Sequence, residues 1–238
     1  MEIAPEQQPF IIAIDGPAGS GKTTTAKALA KELGFIYVDT GAMYRAVALF
    51  AQRRTVPLSD HDAICALLPG IDIRLERIEA EQHTLLNGED VEEHIRTQEM
   101  SRAASDISAI PCVREAMVDL QRRAAREAHG AVLEGRDIGT VVFPDSPCKI
   151  FLVADARTRA QRRKRQLEEK GIPADFDTIL REIEERDRND ATREHSPLRK
   201  ATDAIEVETT NTSIDEQVSM IWSLVRKRID QFRKGSTK

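Results

Sequence analysis

The chain has 238 residues, of which 40% are hydrophobic and 32% charged, and its net charge is −5. That length and apolar content fit one domain with a sizeable core and room for a small insertion. The mild acidity argues against broad attraction to nucleic acid or anionic membrane, and no apolar run approaches membrane-spanning length.

Phe10-Ile11-Ile12-Ala13-Ile14 is a short apolar run rich in β-branched residues. It reads as a fully buried strand that ends in a Gly/Pro/Ser-rich turn. A helix is expected from Lys22 to about Leu33, stopped by Gly34. Phe35-Ile36-Tyr37-Val38 is a second strand, and a helix follows near Ala42. Residues 70–94 differ: Ile71 to Leu75 alternates apolar and polar, Thr84-Leu85-Leu86 can pair with it, and Asn87-Gly88 is a turn signal. This stretch reads as a small antiparallel insertion. Val113, Met117, Leu120 and Ala124 recur at helical spacing. Ala131 to Leu133 and Lys149 to Val153 are further buried strands, residues 155–169 a charged helix, and residues 184–199 a polar, arginine-rich stretch. Ala204 to Val207 is the last strand, and apolar positions from Ile214 to Ile229 mark a final helix. Alternating strands and helices imply a parallel α/β sheet flanked by helices. Ligands gather at the carboxyl ends of such strands, so the turns at 15–24, 39–45 and 134–140 should share one face.

Gly16-Pro17-Ala18-Gly19-Ser20-Gly21-Lys22-Thr23, followed by Thr24, matches G-x-x-x-x-G-K-[ST] at every fixed position. Glycines let the backbone point its N–H groups inward at phosphate oxygens, and the helix start adds its dipole. Lys22 would reach the β- and γ-phosphates, and the Thr23 hydroxyl would ligate Mg²⁺. A Gly-rich turn alone can merely join strand to helix; the full pattern between a buried strand and a helix is a P-loop NTPase signature. Arginines Arg45, Arg136, Arg186 and Arg193 cluster in the polar turns and the late polar stretch. Transfer between two anions needs several fixed cations, and guanidinium forks suit phosphate.

These motifs resemble the bacterial cytidylate kinases of the nucleoside monophosphate kinase superfamily. The resemblance is carried by residues 14–22, by Asp39-Thr40-Gly41-Ala42-Met43-Tyr44-Arg45, by Ile95-Arg96-Thr97 with Ala104-Ser105, and by Val113-Arg114-Glu115-Ala116. Its most specific part is Gly135-Arg136-Asp137-Ile138-Gly139-Thr140-Val141-Val142-Phe143-Pro144. Arg186-Asp187, Asp190, Arg193 and Pro197-Leu198 complete it.

The resemblance implies transfer of the ATP γ-phosphate to CMP or dCMP, with Mg²⁺ as cofactor. Thr40 and Arg45 would hold the acceptor phosphate and sugar, and Ser105, Arg114 and Asp137 would read the cytosine. Arg136 would act on the phosphate, with Lys22, Arg186 and Arg193 also catalytic. Asp190 and Arg193 would bind nucleotide from a short lid at about 184–199. The acceptor-binding insertion would span about 66–104, and the core about 8–65, 105–183 and 200–235. On the basic helix, Arg159 and Arg163 share a face and would line the ATP site. A solvated helix face is the blander reading of that arginine run.

A kinase for another small acceptor, such as shikimate, is the near alternative. A P-loop switch or motor is the distant one, but neither N-K-x-D nor a helicase-like Walker B pair occurs. Cys65, Cys112 and Cys148 show no CxxC or zinc spacing, so no disulfide framework is expected and a reducing compartment is the simplest reading. Residues 1–9 lack the features of a signal peptide. A soluble, cytoplasmic monomer with no nucleic-acid or membrane partner is the expectation.

Overall fold

The computed structural model describes residues 9–78 and 81–235. The expectation of no signal peptide thus falls, apart from Pro9, outside the described residues. In chain order the elements are β1 (Phe10–Asp15), α1 (Lys22–Leu33), β2 (Ile36–Asp39), α2 (Thr40–Arg53) and α3 (His61–Leu67). Then come β3 (Ile73–Ile78), β4 (Glu81–Leu86), β5 (Glu89–Asp90), α4 (Gln98–Ile107) and α5 (Pro111–Arg126). The last are β6 (Gly130–Gly135), β7 (Cys148–Val153), α6 (Ala156–Glu169), α7 (Phe176–Thr192), β8 (Ile205–Glu208) and α8 (Ile214–Gly235). The chain divides into two compact units, residues 1–37 with 125–238, and residues 38–124.

The five-stranded sheet has the order β2-β6-β1-β7-β8. β1 pairs in parallel with β6 and β7, and β7 with β8. All six residues of β1 and of β6 are buried, as continuous apolar runs of a covered parallel strand should be. Ile12, Ile14, Val132, Ile150 and Leu152 pack with Ala26 and Leu29 of α1 and with Ile221 and Val225 of α8. In the β1–β6 register Ile14 faces Glu134 and Asp15 faces Gly135. The turns after these two strands therefore leave the sheet at the same carboxyl end.

The unit of residues 38–124 holds the antiparallel sheet β3-β4-β5, in the stretch where the alternating pattern pointed to it. Asn87 and Gly88 both take positive φ (51° and 83°) between β4 and β5, as a tight hairpin turn requires. α2 packs against α4. It starts at Thr40 because the Asp39 carboxylate caps it, accepting the Ala42 N–H at 2.9 Å.

Three features depart from the sequence reading. The helices α3 and α4 were not expected. α7 continues through Thr192, so the first half of the polar 184–199 stretch is helical. Cys65 of α3 and Cys112 of α5 form a disulfide, with Cα atoms 5.9 Å apart. This corrects the expectation of no disulfide: spacing rules are silent on a pair 47 residues apart that only the fold brings together. Cys148 is free and buried, and burial pushes its thiol up to about 12. No helix among the described residues is long and apolar enough to cross a membrane.

Candidate active site

The loop between β1 and α1 is a cradle set by its glycines. Gly19 and Gly21 sit at φ 75° and 88°, and Gly16 at 153°. A Cβ at Gly16 would lie 2.5 Å from the Leu152 carbonyl oxygen, and one at Gly21 would lie 2.6 Å from Gln217 Nε2. A side chain at Gly16 is therefore excluded by space as well as by conformation, while one at Gly21 would be conformationally strained and would have to displace the Gln217 amide. Ser20 is buried and its hydroxyl donates to the Pro17 carbonyl at 3.0 Å. Lys22 is 6% exposed and its ammonium donates to the same carbonyl at 2.7 Å. Burial first, then Arg136 and Arg186, push Lys22 down to about 7, against the opposing pull of Glu134 and Asp190. An anion placed in the loop would favour the charged lysine.

At the start of α1 the Thr23 hydroxyl donates to Glu134 Oε2 at 2.9 Å. The Tyr37 hydroxyl donates to the other oxygen of that carboxylate. A hydroxyl beside a carboxylate at the head of the P-loop is a pair of hard oxygen donors. This fits Mg²⁺, which takes few protein ligands and completes its shell with phosphate and water. No cluster of three or more His, Cys, Asp or Glu suited to a metal occurs among the described residues.

The loop after β6 carries Arg136 and Asp137. Arg136 Nε donates to Asp190 Oδ2 at 2.6 Å. Burial disfavours both charges, but each charge favours the other, raising Arg136 and lowering Asp190. Arg186 and Arg193 also act on Asp190, and Arg193 Nη1 lies 3.8 Å from its Oδ1. Arg193 Nε donates to the Ser196 carbonyl at 2.6 Å. The main chain closes the same corner, the Leu198 N–H bonding the Asp190 carbonyl at 2.7 Å. The structure thus gathers Lys22, Arg136, Arg186, Asp190 and Arg193 into one network of charges.

Arg159 is buried on α6 and reaches the P-loop directly. Its guanidinium donates to the carbonyls of Ala154 at 2.9 Å and Ala18 at 3.1 Å, and to both oxygens of Asp187. A Cβ on Gly19 would touch Arg159. Arg163, one turn on, is only partly buried. Asp187, whose role the sequence reading left blank, orients Arg159.

Asp15, at the end of β1, is 4% exposed. Its two oxygens accept the backbone N–H groups of Ile138 and Gly139, each at 2.8 Å. Burial pushes its carboxyl up to about 6, against the pull of those two N–H bonds; Asp137 adds to the rise and Lys22 opposes it.

In the other unit, Thr40 is buried at the start of α2. Arg45 Nη2 donates to Asp39 Oδ2 at 3.0 Å, and Arg96 Nη1 donates to the same oxygen at 2.6 Å. Burial alone would raise Asp39; Arg45 and Arg96 overrule it and hold the carboxyl below the ordinary range. Arg96 also donates to Glu92 through Nε at 2.6 Å. Arg114, 4% exposed, lies 5.6 Å over the Tyr44 ring and donates from Nη1 to the Ser108 carbonyl at 2.8 Å. Ser105 is partly buried on α4, and its carbonyl accepts the Ser108 hydroxyl. Asp39 and Arg96 are site neighbours that the sequence reading passed over. Both lay inside the matched motifs, which was the available signal.

The profile of the family described as Cytidylate kinase matches residues 12–227. The cytidylate kinase of Lactobacillus johnsonii is 48% identical over 217 residues, covering 91% of this chain and 94% of its own. That of Listeria innocua is 49% identical over 218 residues, covering 92% of this chain and 96% of its own. That of Syntrophotalea carbinolica is 47% identical over 219 residues, covering 92% and 93%.

Proposed function

The chain belongs to the cytidylate kinase family, and on that premise we propose that it moves the γ-phosphate of ATP onto CMP or dCMP, giving ADP and the diphosphate. The observation that carries this reading is the family match over residues 12–227, which takes in the whole phosphate cradle and the Arg136–Asp137 loop.

The donor half of the chemistry follows from the cradle. Loop N–H groups and the α1 dipole would hold the ATP phosphates, with Thr24 beside Thr23 on the first turn. Lys22 would hold the β- and γ-oxygens, and Arg159 and Arg163 would border the nucleotide. Thr23, with Glu134, would hold Mg²⁺, which supplies charge neutralisation across the β- and γ-phosphates. An acceptor phosphate is already ionised at neutral pH, so an oxygen of CMP attacks the γ-phosphorus without a strong base. The bond to the β,γ-bridging oxygen breaks, and ADP leaves with the electron pair. Arg136, Arg186 and Arg193 would stabilise the charge on the transferred group. Asp190 keeps Arg136 in place and would itself bind the acceptor.

Thr40 and Arg45 would take the acceptor phosphate and sugar. Ser105, Arg114 and Asp137 would read cytosine, a carboxylate accepting from the N4 amine and a guanidinium donating to O2 or N3. Uracil would turn a carbonyl toward Asp137 and leave two acceptors facing each other. We place the enzyme in the cytoplasm as a monomer, with residues 66–104 as the acceptor-binding insertion and 184–199 as a lid.

ADP release measured against CMP, dCMP, UMP, AMP and GMP tests the proposal. CMP and dCMP should be turned over well and the others far less; better turnover of another monophosphate would overturn it. Arg45→Ala should raise the KM for CMP and lower kcat while the ATP KM moves little, since a charge-assisted bond to phosphate is worth about 1.5–3 kcal/mol.

A further inference from the structure

Asp15 stands apart from every role assigned above. It ends β1 immediately before the P-loop, yet its hydrogen-bond partners come from the loop after β6. Both of its oxygens are taken by the N–H groups of Ile138 and Gly139, across a sequence separation of more than a hundred residues. We propose that Asp15 is the positioning residue of the acceptor-reading loop: it fixes the backbone immediately after Asp137 and so sets where Arg136 and Asp137 point. The inference rests on the reading of Asp137 as the base-reading carboxylate.

The local geometry supports it on three counts. A π-helical turn spans Ile138–Val142, and the N–H groups of Thr140, Val141 and Val142 all turn back to the Asp137 carbonyl. The N–H groups of Ile138 and Gly139 instead go to Asp15. Without Asp15, two buried donors would stand orphaned at the start of the turn. Next, the two donors are adjacent and each takes a different oxygen. A carboxylate offers two acceptor oxygens, whereas an asparagine amide would turn one NH₂ toward an N–H. Finally, the loop is packed from behind. A Cβ on Gly139 would lie 3.2 Å from the Lys149 side chain and 3.4 Å from Asp15 Oδ2, so the glycine permits the close approach. Lys149 is itself fixed by the Asp203 carboxylate at 2.8 Å. The turn is thus clamped between Asp15 on β1 and Lys149 on β7.

The fold holds a second carboxylate, Asp137, close enough to Asp15 to raise it further. A purely structural anchor for two N–H groups could have been a neutral hydroxyl or a carbonyl. A bidentate anion at that cost is explained by the need to hold one orientation of the loop.

The test is steady-state kinetics with CMP and UMP on wild type, Asp15→Asn, Gly139→Ala and Asp137→Ala, each checked for folding by circular dichroism and thermal melting. Asp137→Ala should narrow the CMP:UMP ratio of kcat/KM. Asp15→Asn should narrow it in the same direction by at least about tenfold. Its CMP KM should rise more than its ATP KM. Gly139→Ala, which presses on the same contact from the loop side, should do so to a smaller degree. If Asp137→Ala narrows the ratio and folded Asp15→Asn does not, the inference is overturned while the base-reading assignment stands. If Asp137→Ala leaves the ratio unchanged, the assignment falls and the inference with it. Should Asp15→Asn fail to fold, Gly139→Ala decides alone, and an unchanged ratio there overturns the proposal.

Discussion

Lys22 is a residue the fold holds at a cost. Burial and two neighbouring guanidinium groups work against its charge, and a carbonyl and two carboxylates only partly offset them. Lys22→Met keeps the stem and removes the charge. It should therefore abolish phosphoryl transfer and raise the melting temperature of the nucleotide-free protein, since active sites commonly trade stability for function. An ADP-release assay and thermal melting of the nucleotide-free protein check the two halves, and a folded mutant with near-normal turnover would sink the role given to Lys22. Asp15 makes a related prediction with pH. Its folded value, about 6, lies above the ordinary 3.8. A carboxyl raised in this way contributes stability that is full below 3.8 and lost as pH rises through 6. Relative to Asp15→Asn, which does not titrate, the wild type should gain about 2 kcal/mol between pH 7 and pH 4.5. Urea midpoints across that range measure it; a stability difference flat in pH would contradict the burial argument. The P-loop residues were legible one by one because their chemistry is local. The role of Asp15 was not, because its partners lie in the turn after β6, more than a hundred residues on, and the parallel pairing of β1 with β6 is what brings that turn beside it.

At the scale of elements, Asp39 ties helix formation to side-chain placement. One carboxylate caps α2 through Oδ1 and holds Arg45 and Arg96 through Oδ2. Asparagine can still cap, while alanine cannot. Asp39→Ala should therefore be less stable than Asp39→Asn by about 1 kcal/mol. Both should weaken CMP binding by loosening Arg45, with the ATP KM little changed. Equal stability of the two variants would mean that the cap contributes nothing. The central strands β1, β6 and β7 were readable as elements because each carries a continuous apolar run buried in the sheet. α7 was not: of its seventeen residues only Ile179, Ile183 and Asp190 are buried, which leaves little apolar periodicity to mark a helix in a polar, charged stretch. α3 escaped for a different reason, having only seven residues and one buried side chain, Ile64. Short helices of this kind owe their existence to tertiary packing more than to propensity.

Across the whole chain, the disulfide between α3 and α5 is the feature that sequence spacing could least suggest. Closing a loop of 47 residues restricts the unfolded chain by about 4 kcal/mol in the chain-entropy account. Cys65→Ser should lower the melting temperature under oxidising conditions and have little effect once a thiol reductant is present. Both cysteines are only half-buried, so reductant can reach them. Catalysis by the folded variant should stay close to wild type if the bridge serves stability alone.

The same bond changes what kind of object the polypeptide is. All three strands of the small sheet, and α4 after them, lie between its two ends, so residues 65–112 form a covalent ring. The tip at residues 87–90 is exposed and is the natural place for a protease to enter. One cut there opens the ring without dividing the molecule. The nicked protein should run as a single band on a denaturing gel without thiol, and as two bands with it.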